Sequence, residues 1–298
     1  MPHKNNKNIL FIKLIPLCFP IFVCAIWFYS QGPDAALANF TEQFNIALTM
    51  VFGSFVAGGT ALGGGAIAFP VMTKILQIEP QTAKVFSLGI QSFGMTAAAL
   101  TIIYSRISYY KIIVFLALLG AIPGVILSLT LIADFIPRLA VKSIFSLLLF
   151  CFAITLIKQH FTKKNARTST AWKHKLLIPL VGFIGGITSG LIGSGADIAI
   201  FALLVLFYKK DLKASTATSV IIMAVTSLIA SVFNFYYLDA FNNQINEYVL
   251  AAIPVVVIGA PLGAYVCTKV HNYVLMIFLL CLISLEVSFT LYEVLTVV

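Results

Sequence analysis

Nine long apolar runs constrain the fold of this chain more than any other feature. Most approach the roughly 20 residues with which a helix crosses a hydrocarbon core. The 298-residue chain is 60% hydrophobic and 10% charged, far from the composition of ordinary soluble domains. The sequence therefore predicts an all-α integral membrane protein. The runs cover residues 9–29, 46–78, 82–104, 112–132, 139–157, 176–208, 214–238, 248–267 and 273–298.

Charge and cysteine usage argue against several function classes. The net charge of +9 comes from short loops between apolar runs, which indicates membrane orientation rather than nucleic-acid binding. The five cysteines form no C-x-x-C pair and the four histidines are scattered, so we expect no metal centre and no cofactor. An intramembrane enzyme would need a base at depth, and Ser194 near Asp197 has no membrane histidine or lysine beside it. We therefore expect no enzymatic activity.

The first run has two interpretations. It begins with basic residues and is followed by the small-residue stretch "DAALA", which resembles a signal-peptide cleavage site. The apolar stretch is longer than a signal core and contains Lys13, Pro16 and Pro20. An uncleaved N-terminal helix is the preferred interpretation, and in both cases the next segment starts outside.

The chain contains an internal repeat. A shift of 132 positions aligns Gly63 with Gly195 and Ser87 with Ser219. After an insertion of seven residues the repeat resumes in "LGAIPGV" and "IGAPLGA". Four segments after the first helix thus correspond to the last four, which divides the chain into repeats as larger structural units. The predicted units are residues 1–45 (N-terminal helix and outer loop), 46–158 (first repeat), 159–175 (basic linker) and 176–298 (second repeat).

The first segment of each repeat is too long for a single crossing. Residues 46–78 and 176–208 have 33 residues each, and as straight helices they would be about 50 Å long against a core of about 30 Å. If all nine runs cross, 11 of the 19 basic residues lie inside. If the two glycine-broken segments are re-entrant, 15 lie inside, including the basic loop 158–175. The positive-inside rule favours the second topology.

Re-entrant hairpins that enter from opposite sides make the two halves inverted copies. The predicted fold is therefore an N-terminal helix followed by two inverted repeats of four segments each, a transporter architecture. Irregular backbone at membrane depth must line a site or be tightly packed. Half-helices restarting near Ala66 and Ile198 would direct N–H groups into the breaks and favour an anion. The alternative is that the glycines serve helix packing, which we prefer for Gly120 and Gly124.

The glycine pattern resembles a known family. Spaced glycines followed by Gly63, Gly64 and Gly65, with Pro70 five positions later, look like the first motif of the sulfite exporter TauE/SafE (TSUP) permeases. The second half repeats the motif in degenerate form. The resemblance implies a bacterial inner-membrane permease built of inverted repeats that moves small sulfur-containing anions such as sulfite, sulfoacetate or other sulfonates, often outward.

Asp197 departs from that family pattern, because it stands where the third glycine of the second motif would be. An intramembrane carboxylate suggests an ion-coupling site or a gate. An Asp just before a half-helix is equally a normal N-cap. Both interpretations stay open at this point.

We predict a permease for a small anion, a sulfur oxyanion or organosulfonate, that works by ion-coupled alternating access in the inner membrane, with loop 158–175 cytoplasmic. Its partners are the anionic solute and the bilayer, and a homo-oligomer is possible. A channel or a carrier of a non-sulfur solute are the alternatives. The serines predicted to line the site could alternatively hydrogen-bond to the backbone of their own helix. The predicted substrate-binding residues are Gly63, Gly64, Gly65, Ser87, Gln91, Gly193, Ser194, Gly195 and Ser219, with Asp197 for coupling or gating.

Overall fold

A computed structural model describes residues 6–63, 68, 71–132, 143, 146–147, 149–150, 153–154, 157 and 175–297. Four features of the sequence analysis lie outside these residues: Gly64 and Gly65, the expected helix start at Ala66, Pro70, and the loop 158–175 except for its last residue. Within the described residues the regular structure is helical and no strand occurs.

Five helices have defined bounds in the described residues of the N-terminal part and the first repeat. Most of the predicted run 139–157 lies outside the described residues. The predicted outer loop contains one of them, α2, which begins with Pro33 in its first turn, a position that favours helix initiation. The elements are α1 (Asn6–Gln31), α2 (Pro33–Glu42), α3 (Phe44–Gly59), a π-helical turn (Val71–Ile75), α4 (Pro80–Tyr104) and α5 (Lys111–Leu127), which continues into a π-helical turn (Ser128–Ile132).

The second repeat shares with the first a broken first segment, a π-helical turn and two long helices. Its first segment is divided between two helices, and a π-helical turn again follows the break. The elements are α6 (Leu177–Ile192), α7 (Ala196–Ala202), a π-helical turn (Leu203–Phe207), α8 (Leu212–Tyr236), α9 (Asn243–Lys269) and α10 (Asn272–Val297).

The boundaries of the central elements follow the shift of 132 positions found in the sequence. The π-helical turns Val71–Ile75 and Leu203–Phe207 correspond residue for residue, and so do α4 and α8, which have 25 residues each. Equivalent sequence positions thus adopt equivalent local structure in the two halves.

Five of the helices in the described part of the chain are long and apolar enough to cross a membrane, so the protein is a multi-pass membrane protein. They are Gln81–Tyr104, Lys111–Ile132, Leu212–Tyr236, Asn243–Lys269 and Asn272–Tyr292. The two 33-residue segments are not continuous helices. Their first helices, α3 and α6, have 16 residues each, about 24 Å, which is shorter than a hydrocarbon core of about 30 Å.

The two halves pack reciprocally. Helix α3 of the first half packs on α9 of the second half, and α6 of the second half packs on α5 of the first. Helices α4 and α8 pack on each other at the centre. In addition, α4 contacts α9, and α8 contacts α5. The helices of one half are therefore held mainly by helices of the other.

Glycines permit these close helix contacts. A Cβ atom on Gly120 or Gly124 would collide with backbone carbonyl groups of α6. On the other side, Gly58 lies against the Ala260 carbonyl, and a Cβ on Gly59 would lie 3.0 Å from the Gly263 carbonyl oxygen. The packing interpretation of Gly120 and Gly124 is confirmed, and it applies to the equivalent interface as well.

Candidate functional site

The break in the second half is closed by side-chain hydrogen bonds. Helix α6 ends at Ile192, and Gly193 adopts a left-handed conformation with φ +97° while its N–H donates to the Ser189 carbonyl at 2.8 Å. The Ser189 hydroxyl accepts from the N–H of Ala196, the first residue of α7, at 2.9 Å. Ser189 thus joins the end of one helix to the start of the next.

Asp197 lies in the first turn of α7 and is 2% exposed. Its Oδ1 accepts from the Gly195 N–H at 2.8 Å. The helix begins at Ala196 with Gly195 as its N-cap, so the predicted start near Ile198 and the interpretation of Asp197 as the N-cap are wrong. The N–H of Ala196 is bonded to the Ser189 hydroxyl, and the carboxylate of Asp197 instead accepts from the N–H of the N-cap residue, Gly195.

The other carboxylate oxygen of Asp197 has no partner. Oδ2 is buried without a hydrogen bond among the described residues. A buried polar atom without a partner has a substantial free-energy cost. A ligand, a water molecule or a proton that meets Oδ2 would therefore be stabilised.

The first break lies against this carboxylate. Helix α3 ends at Gly59, and Gly63 is left-handed with φ +71°. A Cβ atom on Gly63 would lie 3.2 Å from Asp197 Oδ2 and 2.9 Å from Met223 Sδ of α8. The glycine breaks of the two halves thus meet inside the protein, with Met223 packed between them.

Helix α4 supplies polar side chains beside the second break. A Cβ on Gly193 would be 3.6 Å from Ser87 Oγ, so the Ser87 hydroxyl lies next to this break. Gln91 Nε2 donates to Ser87 Oγ at 2.7 Å, and Gln91 Oε1 is buried without a partner among the described residues. Gln91 also lines a small recess between α3, α4 and α9.

The other predicted polar residues have different surroundings. Ser194 is buried within the break. The hydroxyl of Ser219 donates to the Thr216 carbonyl of its own helix at 2.9 Å, which is the alternative considered for serines in membrane spans.

Two residues of the site were not predicted. Met223 stands one turn after Ser219 on the same face of α8, and Ser189 stands one turn before Gly193. Helical spacing from the predicted residues would have indicated both. In the described residues no group of three or more His, Cys, Asp or Glu side chains could hold a metal ion.

The arrangement combines donors and acceptors among buried side chains. The apolar helical segment Ala196–Phe207, which comprises α7 and the π-helical turn, starts at the break. The N–H of Ala196 is already bonded to Ser189, and the dipole of the segment favours negative charge at its start. The Ser87 hydroxyl adds a donor, whereas Asp197 contributes a carboxylate. The place where the two breaks meet is therefore the candidate solute site, and the charge of Asp197 would affect its affinity for an ionic solute.

A family model described as sulfite exporter TauE/SafE matches residues 46–288. The chain belongs to this family, whose members are membrane permeases for sulfur-containing anions. The match covers both halves and both breaks. Searches of curated proteins and of solved structures found no match.

The contact between Gly63 and Met223 can be tested by a double-mutant cycle. Gly193→Ala should lower the free energy of unfolding by about 1–2 kcal/mol, the cost of an alanine in the left-handed conformation. Its Cβ atom would make only ordinary contacts, with Ser87 Oγ 3.6 Å away. Gly63→Ala has the same backbone cost and also displaces the flexible end of the Met223 side chain, so we expect a loss that is greater by about 1 kcal/mol, the lower end of overpacking costs. Unfolding of the purified protein in detergent measures both losses.

Met223→Ala is the second arm of the cycle. It should relieve the additional loss of Gly63→Ala and leave that of Gly193→Ala unchanged, since pairwise coupling is confined to residues in contact. Equal coupling of Met223 to both glycines would contradict the described contact.

Proposed function

We propose that this protein moves a small anion, a sulfur oxyanion or an organosulfonate, by alternating access through a site where the two glycine breaks meet. The observation that carries the proposal is the contact of Gly63 with Asp197 and Met223, which joins the first break to the second half. A site formed by elements of both halves changes its access when the helices around it move relative to one another.

The chemistry of the breaks supports an anion. Gly63, Gly64 and Gly65 would allow backbone N–H groups to approach a ligand without intervening side chains. In the second break the N–H groups of Gly193 and Gly195 already donate to the Ser189 carbonyl and to Asp197 Oδ1, so the prediction that they bind the anion would require these bonds to be exchanged for bonds to the solute. The first turn of helix Ala196–Phe207 adds its dipole. Ser87, Gln91 and Ser194 are proposed to contact the solute, and Ser219 to line the space beside Met223.

A carrier is favoured over a channel by the packing of the site. Asp197 is 2%, Ser87 1% and Gln91 4% exposed, and Met223 fills the space against Gly63. A site closed to both sides is the intermediate state that alternating access requires. Asp197 is the proposed ion-coupling residue or gate, because its carboxylate lies where the breaks meet.

The proposed topology is an inverted pair of halves in the inner membrane, with both breaks re-entrant and the basic loop 158–175 in the cytoplasm. Its support is the charge distribution, which puts 15 of 19 basic residues inside. Export is the proposed direction, in line with the description of the family.

A topology reporter tests this orientation. A reporter inserted within residues 158–175 should show cytoplasmic activity, and one in the segment between α8 and α9 should show periplasmic activity. A periplasmic signal from the basic loop would exclude the re-entrant topology.

Flux into proteoliposomes tests the activity. We expect saturable uptake of at least one member of a panel of sulfite, sulfate, thiosulfate, sulfoacetate, taurine and simple carboxylates, with a sulfur compound preferred. Flux that rises without saturation would indicate a channel. No flux of any sulfur compound would contradict the proposed substrate class.

A matched pair of serine variants locates the site. Ser87→Ala removes the hydroxyl beside Gly193 and should raise KM about tenfold, because a hydrogen bond to a charged group contributes about 1.5 kcal/mol. Ser227→Ala is the control, since the Ser227 hydroxyl is buried on α8 and bonds the Ala224 carbonyl of its own helix at 3.2 Å. Equal KM values for the two variants would place the site elsewhere.

A further inference from the structure

The carboxylate of Asp197 has one oxygen that is satisfied and one that is not. Oδ1 accepts from Gly195, whereas Oδ2 faces Gly63 and has no partner among the described residues. The unsatisfied oxygen thus points to the place where the two breaks meet. It requires a hydrogen-bond donor, and an anion cannot supply one unless a proton is present.

Oδ2 has no hydrogen-bond partner among the described residues. Helix α4 contains one buried basic residue, Lys84, three positions before Ser87. Helix α6 has no titratable residue. In α8 the charged residue is Lys213, whose Nζ donates to the Thr268 carbonyl at 2.9 Å, and Asp211 caps the helix start. The apolar cluster around Ile198 includes the Cys267 thiol of α9 and, from α10, three aliphatic residues, Leu275, Leu279 and Ile283. The titratable residues of α10 are Tyr273, Cys281, Glu286, Tyr292 and Glu293.

We propose that Asp197 carries a proton on Oδ2 whenever the anion is bound, so that the protein moves one proton together with one monovalent anion in the same direction. The inference rests on the proposed anion permease and names both its coupling ion and the charge of its substrate. The proton binds Oδ2 from the side on which the anion enters and leaves with the anion on the other side. In the proposed direction of export, the outward concentration gradient of the anion would therefore have to drive the proton outward with it.

The charge balance of the site explains the coupling. An empty site with an ionised Asp197 carries one negative charge, and a site with a neutral Asp197 and a monovalent anion carries the same charge. An anion beside an ionised carboxylate would put two negative charges in a space that excludes water, where their repulsion is strong. A proton without an anion would leave the new O–H donor without an acceptor.

The same balance selects monovalent anions. A divalent anion would add a second negative charge even when Asp197 is neutral. A proton needs a single oxygen acceptor, which Oδ2 provides, whereas cations in broken-helix sites are held by several carbonyl and carboxylate oxygens. A Cβ on Gly63 would lie next to both Oδ2 and the Met223 thioether, and a thioether sulfur is a poor ligand for hard cations.

Methanesulfonate uptake into proteoliposomes tests the proposal, because this strong-acid anion carries no proton of its own. In the native protein, a gradient of one pH unit, acid outside, should drive accumulation of about tenfold, since one proton per anion balances a tenfold concentration ratio. A membrane potential should have no effect on this electroneutral process. An internal pH dye should record one proton for each anion taken up.

Asp197→Asn should separate the anion from the proton. The Asn side chain can still accept from Gly195 through its carbonyl, while its amide group replaces the O–H donor at the position of Oδ2. This variant should transport methanesulfonate without any response to the pH gradient and should accumulate it in response to a membrane potential. Asp211→Asn is the matched control, because Asn also caps helices, and it should behave like the native protein.

Several outcomes would overturn the proposal. Proton coupling would be rejected if the native protein accumulated the anion in response to the membrane potential or a sodium gradient. It would also be rejected if divalent anions were taken up but methanesulfonate was not, or if Asp197→Asn kept the full pH response. Each of these results would leave the permease activity established. If no anion of the panel is taken up, the proposed function fails as well. The stoichiometry in the native protein decides the question even if the Asn variant does not fold.

Discussion

The structure depends on one constraint: a helix that breaks within a membrane must satisfy its freed N–H and C=O groups without water. In the second half the constraint is met by two side chains, since the Ser189 hydroxyl binds the N–H of Ala196 and the Asp197 carboxylate binds that of Gly195. Only one carboxylate oxygen is needed for this purpose. The remaining oxygen, Oδ2, lies where the two breaks meet and has no hydrogen-bond partner among the described residues.

The packing of the halves explains why the breaks meet at all. Because α3 lies on α9 and α6 lies on α5, each broken segment is positioned by the opposite half. Glycines at both interfaces let the helix backbones approach closely enough for this arrangement. The bodies that move during transport are therefore expected to combine helices of both halves, since separating α3 from α9 would disrupt a close backbone contact.

Much of this arrangement could be predicted from spacing along the chain. The shift of 132 positions predicted the equivalence of α4 and α8, and the glycine clusters predicted the breaks. Gly120 and Gly124 were predicted to serve helix packing, although their partner helix, α6, was not. Helix α7 starts two residues earlier than predicted, and at this start the Ser189 hydroxyl and the Asp197 carboxylate accept from the backbone N–H groups of Ala196 and Gly195. The contact of Met223 with Gly63 joins residues 160 positions apart in the numbering, and periodicity within one helix contains no information about such pairs.

The central claim is that both halves form one anion site, and substrate protection of cysteines tests it most directly. In a variant without native cysteines, Ser87→Cys on the first half and Ser194→Cys on the second would each be labelled by a small thiol reagent. We predict that a transported anion slows labelling at both positions with the same half-saturating concentration. Protection of only one position, or of neither while flux persists, would contradict a site shared by the two halves.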